Sequence, residues 1–113
     1  CRRAIRYRTR DGFLVCAPAV TPLADVDLKA LRIEARVNGK RVQTVELSTL
    51  VRDAATLLAD VGAFMTLQPG DVLLLGSDCL PDGTRPRVRA GDHVDIRAPG
   101  LLPLSHTLVQ EAA

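Results

Sequence analysis

The chain has 113 residues, enough for about one domain with a single modest core, and its 47% hydrophobic and 25% charged residues are those of a globular rather than a disordered protein. Aromatic residues make up only 3%, with no Trp, so the core must be aliphatic and a base-stacking surface is disfavoured. The net charge of +2 is uneven: five cations, Arg2, Arg3, Arg6, Arg8 and Arg10, crowd the first ten residues, while the remaining ten face thirteen acids further on.

No apolar run approaches the roughly 20 residues of a membrane helix, and no charged-then-apolar signal segment opens the chain, which points to a cytoplasmic protein without membrane contact. Cys1, Cys16 and Cys79 are odd in number and widely spaced, against both a disulfide framework and a zinc site, and read as small semi-buried thiols. The chain begins at Cys1 rather than at a methionine, which raises the expectation of a longer polypeptide.

Residues 1–10, with Ile5 and Tyr7 between arginines, read as an extended segment. After the Asp11-Gly12 turn signal, "FLVCAPAV" reads as a short buried run broken by Pro18, and "ADVDLKA" as a short turn with Asp25 near its start. The clearest local pattern is "LRIEARV". Its odd positions from Leu31 to Val37 are apolar and its even ones charged, the period of a half-buried strand. Asn38-Gly39 supplies the two positive φ angles of a type I′ turn, so "KRVQTVEL" returns as hairpin partner over 31–46. A straight register sets Val42 against Ala35 and Gln43 beside Glu34, on the polar face.

Ser48 can cap a helix, and apolar residues recur at Leu50, Ala54, Leu57, Leu58, Val61 and Phe64, predicting a helix over 48–65 that covers the apolar side of the hairpin. Gly62 near its end implies fraying or close packing. "LQPGDV" and "VRAGDHV" then echo each other, each a tight turn launching a strand, over 72–75 and 93–98. Between them "SDCLPDGTRP" is a surface loop, and "APGLLPLSHTLVQE" ends the chain as a Pro/Gly-broken strand pair. The whole predicts one mainly β (α+β) domain with one main helix.

His93 and His106 stand far from any second ligand at metal spacing and read as surface or hydrogen-bonded residues. No nucleophile elbow, Walker loop or dinucleotide fingerprint occurs. What remains is the strand end Gly76-Ser77, the arginine segment and Gln43. A strand-ending glycine lets a ligand approach the backbone and an adjacent hydroxyl can donate to an anionic oxygen, although a simple bend capped by Ser77 needs no ligand.

Taken in order, "ARVNGKRVQ", a helix, "AFMTLQPGDVLLLGSD" and "VRAGDHVDIRAPGLLPL" resemble the run of motifs in the fumarylacetoacetate hydrolase family, over almost the whole chain. "RRAIRYRTRDGF" and "GLLPLSHTLVQE" are similar to the first tandem half of its isomerase/decarboxylase members, which serve 4-hydroxyphenylacetate (homoprotocatechuate) degradation. The resemblance implies the distal, C-terminal part of a mixed β-roll catalytic domain, with one main helix. It also implies a divalent Mg²⁺ or Mn²⁺ whose ligands, a Glu-x-Glu pair and an Asp, lie upstream of this chain.

The same resemblance implies that Arg8 matches a substrate-facing lysine and that Gln43 matches the hairpin glutamine. Gly76 and Ser77 match the Gly-Thr of a strand end that holds a substrate carboxylate. The implied partners are a small oxo-carboxylate substrate and a second subunit, as homodimer or heterodimer with a paralogue. Two departures stand out. Arg8 can position an anion but hardly serve as a base. Asp78, where the family has Pro, adds a negative charge beside the anion site, which raises a catalytically silent paralogous subunit as the alternative reading. A nucleic-acid-binding β module using the five arginines is weaker, because the remainder is acidic and aromatics are scarce.

Overall fold

The computed structural model describes residues 14–76 and 79–110. The extended segment expected at 1–10 lies outside them. The architecture is one antiparallel four-stranded sheet with a single α-helix among the described residues: β1 (Arg32–Val37), β2 (Lys40–Glu46), α1 (Ala54–Gly62), β3 (His93–Arg97) and β4 (Leu104–Thr107), in the spatial order β2-β1-β3-β4. Short 3₁₀ turns at Leu23–Asp25 and Leu47–Thr49 precede the hairpin and the helix.

The hairpin forms where the alternation and Asn38-Gly39 place it, with φ of +52° and +81° at the two turn residues. Its register is not straight. Arg36 pairs with Arg41 but Ala35 pairs with Gln43, so Val42 is an extra residue in a β-bulge. The bulge corrects the expected placement of Gln43. Paired residues share a face, so Gln43 lies with Ala35 and Ile33 on the apolar side rather than with Glu34. The physical reason is in the sequence: Val42 and Val45 are three apart, and an odd spacing cannot keep both strand ends in phase with β1 unless one residue is looped out.

Across the sheet, Ile33, Val37, Val45, Val94, Ile96 and Leu104 share this apolar side with Gln43 and His106. The opposite side carries Arg32, Glu34, Arg36, Asp95, Arg97 and Ser105. There the Arg36 and Arg41 guanidinium groups converge on Glu34, at 3.2 and 3.7 Å.

The helix begins later than the sequence predicts. Residues 47–49 form a 3₁₀ turn, the Thr49 hydroxyl donates to the Glu46 carbonyl at 2.8 Å, and Leu50 is extended at φ −62°, ψ 135°. Asp53, not Ser48, is the N-cap: its carboxylate accepts from the Thr56 N–H at 2.8 Å. That bond and the second one from the Thr56 side chain hold the Asp53 carboxyl below its ordinary pKa. A Cβ at Gly62 would meet nothing within 4 Å, so that glycine marks the helix end rather than a close contact. The helix meets the hairpin in part: no helix residue is fully buried, but Ala54, Leu57 and Val61 of the expected apolar stripe are half-buried, and Leu57 shares a groove with Val45 of β2.

Residues 72–75 pair with no strand among the described residues, and Val72 and Leu74 are 68% and 71% exposed. An apolar run becomes a strand only when a neighbour takes up its backbone hydrogen bonds. The run after residue 13 is likewise exposed rather than buried, as are Cys16 and Cys79. Among the described residues Leu31 alone forms a buried hydrophobic core, and the radius of gyration of 15.7 Å exceeds the about 13 Å of a compact domain of this length.

The Gly-Asp echo extends to its hydrogen bonds. Gln68 N–H donates to the Asp71 carboxylate and Arg89 N–H to that of Asp92, each at 2.8 Å, while Asp71 and Asp92 return their N–H groups to the Gln68 and Arg89 carbonyls. Gly70 and Gly91 adopt φ of +99° and +90°. Only the second turn launches a paired strand. A turn over 98–101 leads into β4, which pairs with β3, so the described part of "APGLLPLSHTLVQE" holds one strand rather than the expected pair.

Candidate functional site

The strand end that the sequence singles out is a backbone feature. Gly76 sits at φ +84°, a region L side chains rarely adopt, and a Cβ built there meets nothing within 4 Å. The glycine is therefore required by conformation, and the space beside it is open. Gly76 and Leu75 line a groove of about 390 Å³ with Val45 of β2, Leu50, Leu57 of α1 and Arg52. The walls are aliphatic, and Arg52 brings a cationic side chain.

Gln43 opens on a second groove of about 300 Å³. Arg41, Val42 and Thr44 flank it on β2, and Cys79, Leu80 and Pro81 face it. The opposing loop is held tight. Gly83 N–H donates to the Leu80 carbonyl and Leu80 N–H to the Thr84 carbonyl, both at 2.8 Å. The Thr84 hydroxyl and N–H both donate to Asp82, the hydroxyl foremost, and keep that carboxyl below its usual pKa.

The described residues on either side of Ser77 and Asp78 thus each line a groove with β2, Gly76 beside Val45 and Cys79 beside Gln43. Val45 and Gln43 are same-face neighbours on that strand. The structure brings Gly76 and Gln43 to adjacent grooves. Arg8 and Ser77 lie outside the described residues, so their convergence on one cleft is not part of this geometry. Sequence reasoning missed Arg52, which precedes a helix cap and follows no periodic pattern. The odd spacing of Val42 and Val45 was the available signal for the facing of Gln43.

The histidines divide by face. His93 is exposed, with Nδ1 3.2 Å from the Thr107 hydroxyl and Nε2 3.4 Å from Asp95, and Asp95 also accepts from Ser105. That serine contact, aided by His93 and Arg97, lowers the Asp95 pKa. His106 lies on the apolar side, its Nδ1 buried and without a protein partner among the described residues. Among the described residues no three His, Cys, Asp or Glu side chains gather closely enough to hold a metal ion. The donors among the described residues do not form a site for the Mg²⁺ or Mn²⁺ that the resemblance implies. No helix among the described residues is long and apolar enough to cross a membrane.

Comparison with known proteins gives this geometry a family. The family model described as fumarylacetoacetate (FAA) hydrolase C-terminal matches residues 3–109. The 4-hydroxyphenylacetate degradation bifunctional isomerase/decarboxylase of Salmonella dublin is 39% identical over 110 residues, 97% of this chain and 24% of the relative. The homoprotocatechuate catabolism bifunctional isomerase/decarboxylase of Escherichia coli is 37% identical over the same shares. The chain therefore spans about a quarter of the length of these relatives. Among solved structures, 5-carboxymethyl-2-hydroxymuconate delta-isomerase from Mycobacterium smegmatis superposes with a TM-score of 0.76 at 30% identity, over 97% of this chain and 44% of that one. Matched by family model, sequence and fold over nearly its whole length, the chain belongs to the fumarylacetoacetate hydrolase family.

Proposed function

We propose that residues 1–113 are a single domain unit, the C-terminal part of a longer catalytic domain, in a metal-dependent isomerase/decarboxylase acting on oxo-di- or tricarboxylic acids from aromatic ring cleavage. The observation that carries this reading is the pair of grooves that Gly76 and Gln43 open against β2. Loss of carbon dioxide from an oxo-acid, or a proton shift beside its carbonyl, leaves an electron pair that delocalises onto the carbonyl oxygen as an enolate. Donors fixed where that charge develops lower the barrier. In this reading the Gln43 amide, the Ser77 hydroxyl and the backbone N–H groups beside Gly76 supply such donors, and Arg8 holds a substrate carboxylate. Mg²⁺ or Mn²⁺, when bound by residues outside this chain, would supply Lewis acidity. The working unit is a cytoplasmic homodimer, or a heterodimer with a paralogous subunit.

The test is turnover by the polypeptide as encoded. With Mg²⁺ supplied, it should isomerise 2-hydroxyhepta-2,4-diene-1,7-dioate or decarboxylate 5-oxopent-3-ene-1,2,5-tricarboxylate, followed by ultraviolet absorbance. Arg8→Ala should weaken binding by about 1.5–3 kcal/mol, the worth of a charge-assisted contact. Asp78 favours the second reading, a catalytically silent subunit, because it sets a negative charge beside the anion site. Absence of turnover together with a stable complex with an active paralogue would decide for it. If Asp78 is what weakens the site, Asp78→Pro raises turnover; in a silent subunit it changes nothing.

A further inference from the structure

The groove beside Gly76 has a composition that the oxo-acid reading does not by itself require. It is lined by the aliphatic Val45, Leu50, Val51, Leu57 and Leu75 together with Gly76 and the cationic Arg52. At about 390 Å³ it lies at the lower end of the 300–1,000 Å³ typical of small-molecule sites. Thr49 also lines it, but its hydroxyl is committed to the Glu46 carbonyl. Arg52 is held by Asp60 across the first turns of the helix, and both side chains are well exposed, at 61% and 45%. Such a pair is weak and exchangeable. A ligand carboxylate could take the place of Asp60 on the guanidinium without burying an unpaired charge.

We infer that this groove binds the aliphatic arm of a dicarboxylic acid, with the terminal carboxylate on Arg52 and the opposite end at the Gly76 backbone. The assignment rests on the oxo-acid reading of the strand end and deepens it. It makes Arg52 the residue that selects for a second, remote carboxylate. Asp60 is a built-in competitor: it holds the guanidinium in place in the free protein and gives way to the ligand. A purely structural role for the pair predicts a different pattern, since removing either partner would then have the same effect.

Isothermal titration of the polypeptide as encoded with adipate, and with hexanoate as the monocarboxylate control, separates the two. Adipate should bind at one saturable site. Arg52→Gln should weaken it about tenfold or more, Arg52→Lys should retain most of the affinity, and Asp60→Asn should tighten it about two- to fivefold by removing the competitor. Hexanoate, whose one carboxylate also pairs with Arg52, should bind more weakly than adipate because its methyl end gains nothing at the Gly76 backbone. Far-UV circular dichroism checks that each variant keeps the wild-type fold, with Arg52→Lys as the charge-preserving control. Equal effects of Arg52→Gln and Asp60→Asn, hexanoate binding as tightly as adipate, or no saturable adipate binding would overturn the inference. Arg52-dependent adipate binding by a polypeptide that turns over no oxo-acid would instead remove the catalytic reading and leave the groove assignment standing.

Discussion

Asn38 and Asp92, 54 residues apart, are joined side chain to side chain: the Asn38 amide donates to Asp92 Oδ1 at 2.9 Å. The same Asn38 side chain accepts from the His93 N–H at 2.9 Å, and its own N–H donates to the His93 carbonyl at 2.8 Å. One asparagine thus serves two ends. Its φ of +52° makes the type I′ turn of the hairpin, and its amide locks that turn to the Gly-Asp turn that launches β3.

Substitutions at Asn38 should therefore rank by which of the two roles they remove. Asn38→Gly keeps the turn conformation and loses the clamp, Asn38→Ala loses both, and Asn38→Val adds the penalty of a β-branched residue at positive φ. Melting temperatures should fall in that order, with glycine the mildest. If glycine and alanine were equally harmful, the turn conformation would carry no part of the effect.

The Asp92 carboxyl titrates below its ordinary value, first because Asn38 donates to it and then because the Arg89 N–H does. A folded-state pKa lowered in this way contributes stability that is fully present above the unfolded value of about 3.9 and is lost as the pH falls through the folded value. Unfolding curves between pH 2 and 7 should show wild type losing stability more steeply than Asp92→Asn only below about pH 4. A difference in slope confined to neutral pH would contradict this assignment.

The bulge at Val42 makes a geometric prediction about Gln43. Opposed residues carry Cβ atoms about 4.5–5.5 Å apart. In a background with Cys1, Cys16 and Cys79 replaced by Ser, Ala35→Cys with Gln43→Cys should cross-link on mild oxidation, and Glu34→Cys with Gln43→Cys should not. Preferential cross-linking of the second pair would restore a straight register and return Gln43 to the charged face.

Two glycines should respond to alanine with opposite sign. Gly76→Ala forces a side chain to φ +84° and should cost about 1–2 kcal/mol through backbone strain, since a Cβ there meets open space. Gly62→Ala, at the last helical position and equally uncrowded, should stabilise by about 0.4–1 kcal/mol. Denaturant unfolding of the two variants measures both.

How much of this was legible follows from the range of the forces involved. The Asn38-Gly39 hairpin and both Gly-Asp turns were readable because their determinants lie within four residues of one another. The apolar periodicity places the helix correctly at its centre and too early at its start. Ser48 and Asp53 are both competent caps, and the choice fell to Asp53 once residues 47–49 closed a 3₁₀ turn and Leu50 became extended. The isolated pattern of 72–75 predicts a strand, but a strand exists only with a partner.

The candidate site shows the same division. By itself the sequence determined Gly76-Ser77 as the end of an apolar run and Gln43 as part of a hairpin, because turn chemistry and period-two alternation are properties of neighbouring residues. Only the tertiary structure decided that Gln43 faces the apolar side, that it shares a groove with Cys79 and Leu80, and that Arg52 stands beside Gly76. A bulge displaces every later side chain by one position, and a groove is built from residues dozens of positions apart. Both depend on strand register and on how the loop after Gly76 meets β2, which no local spacing encodes.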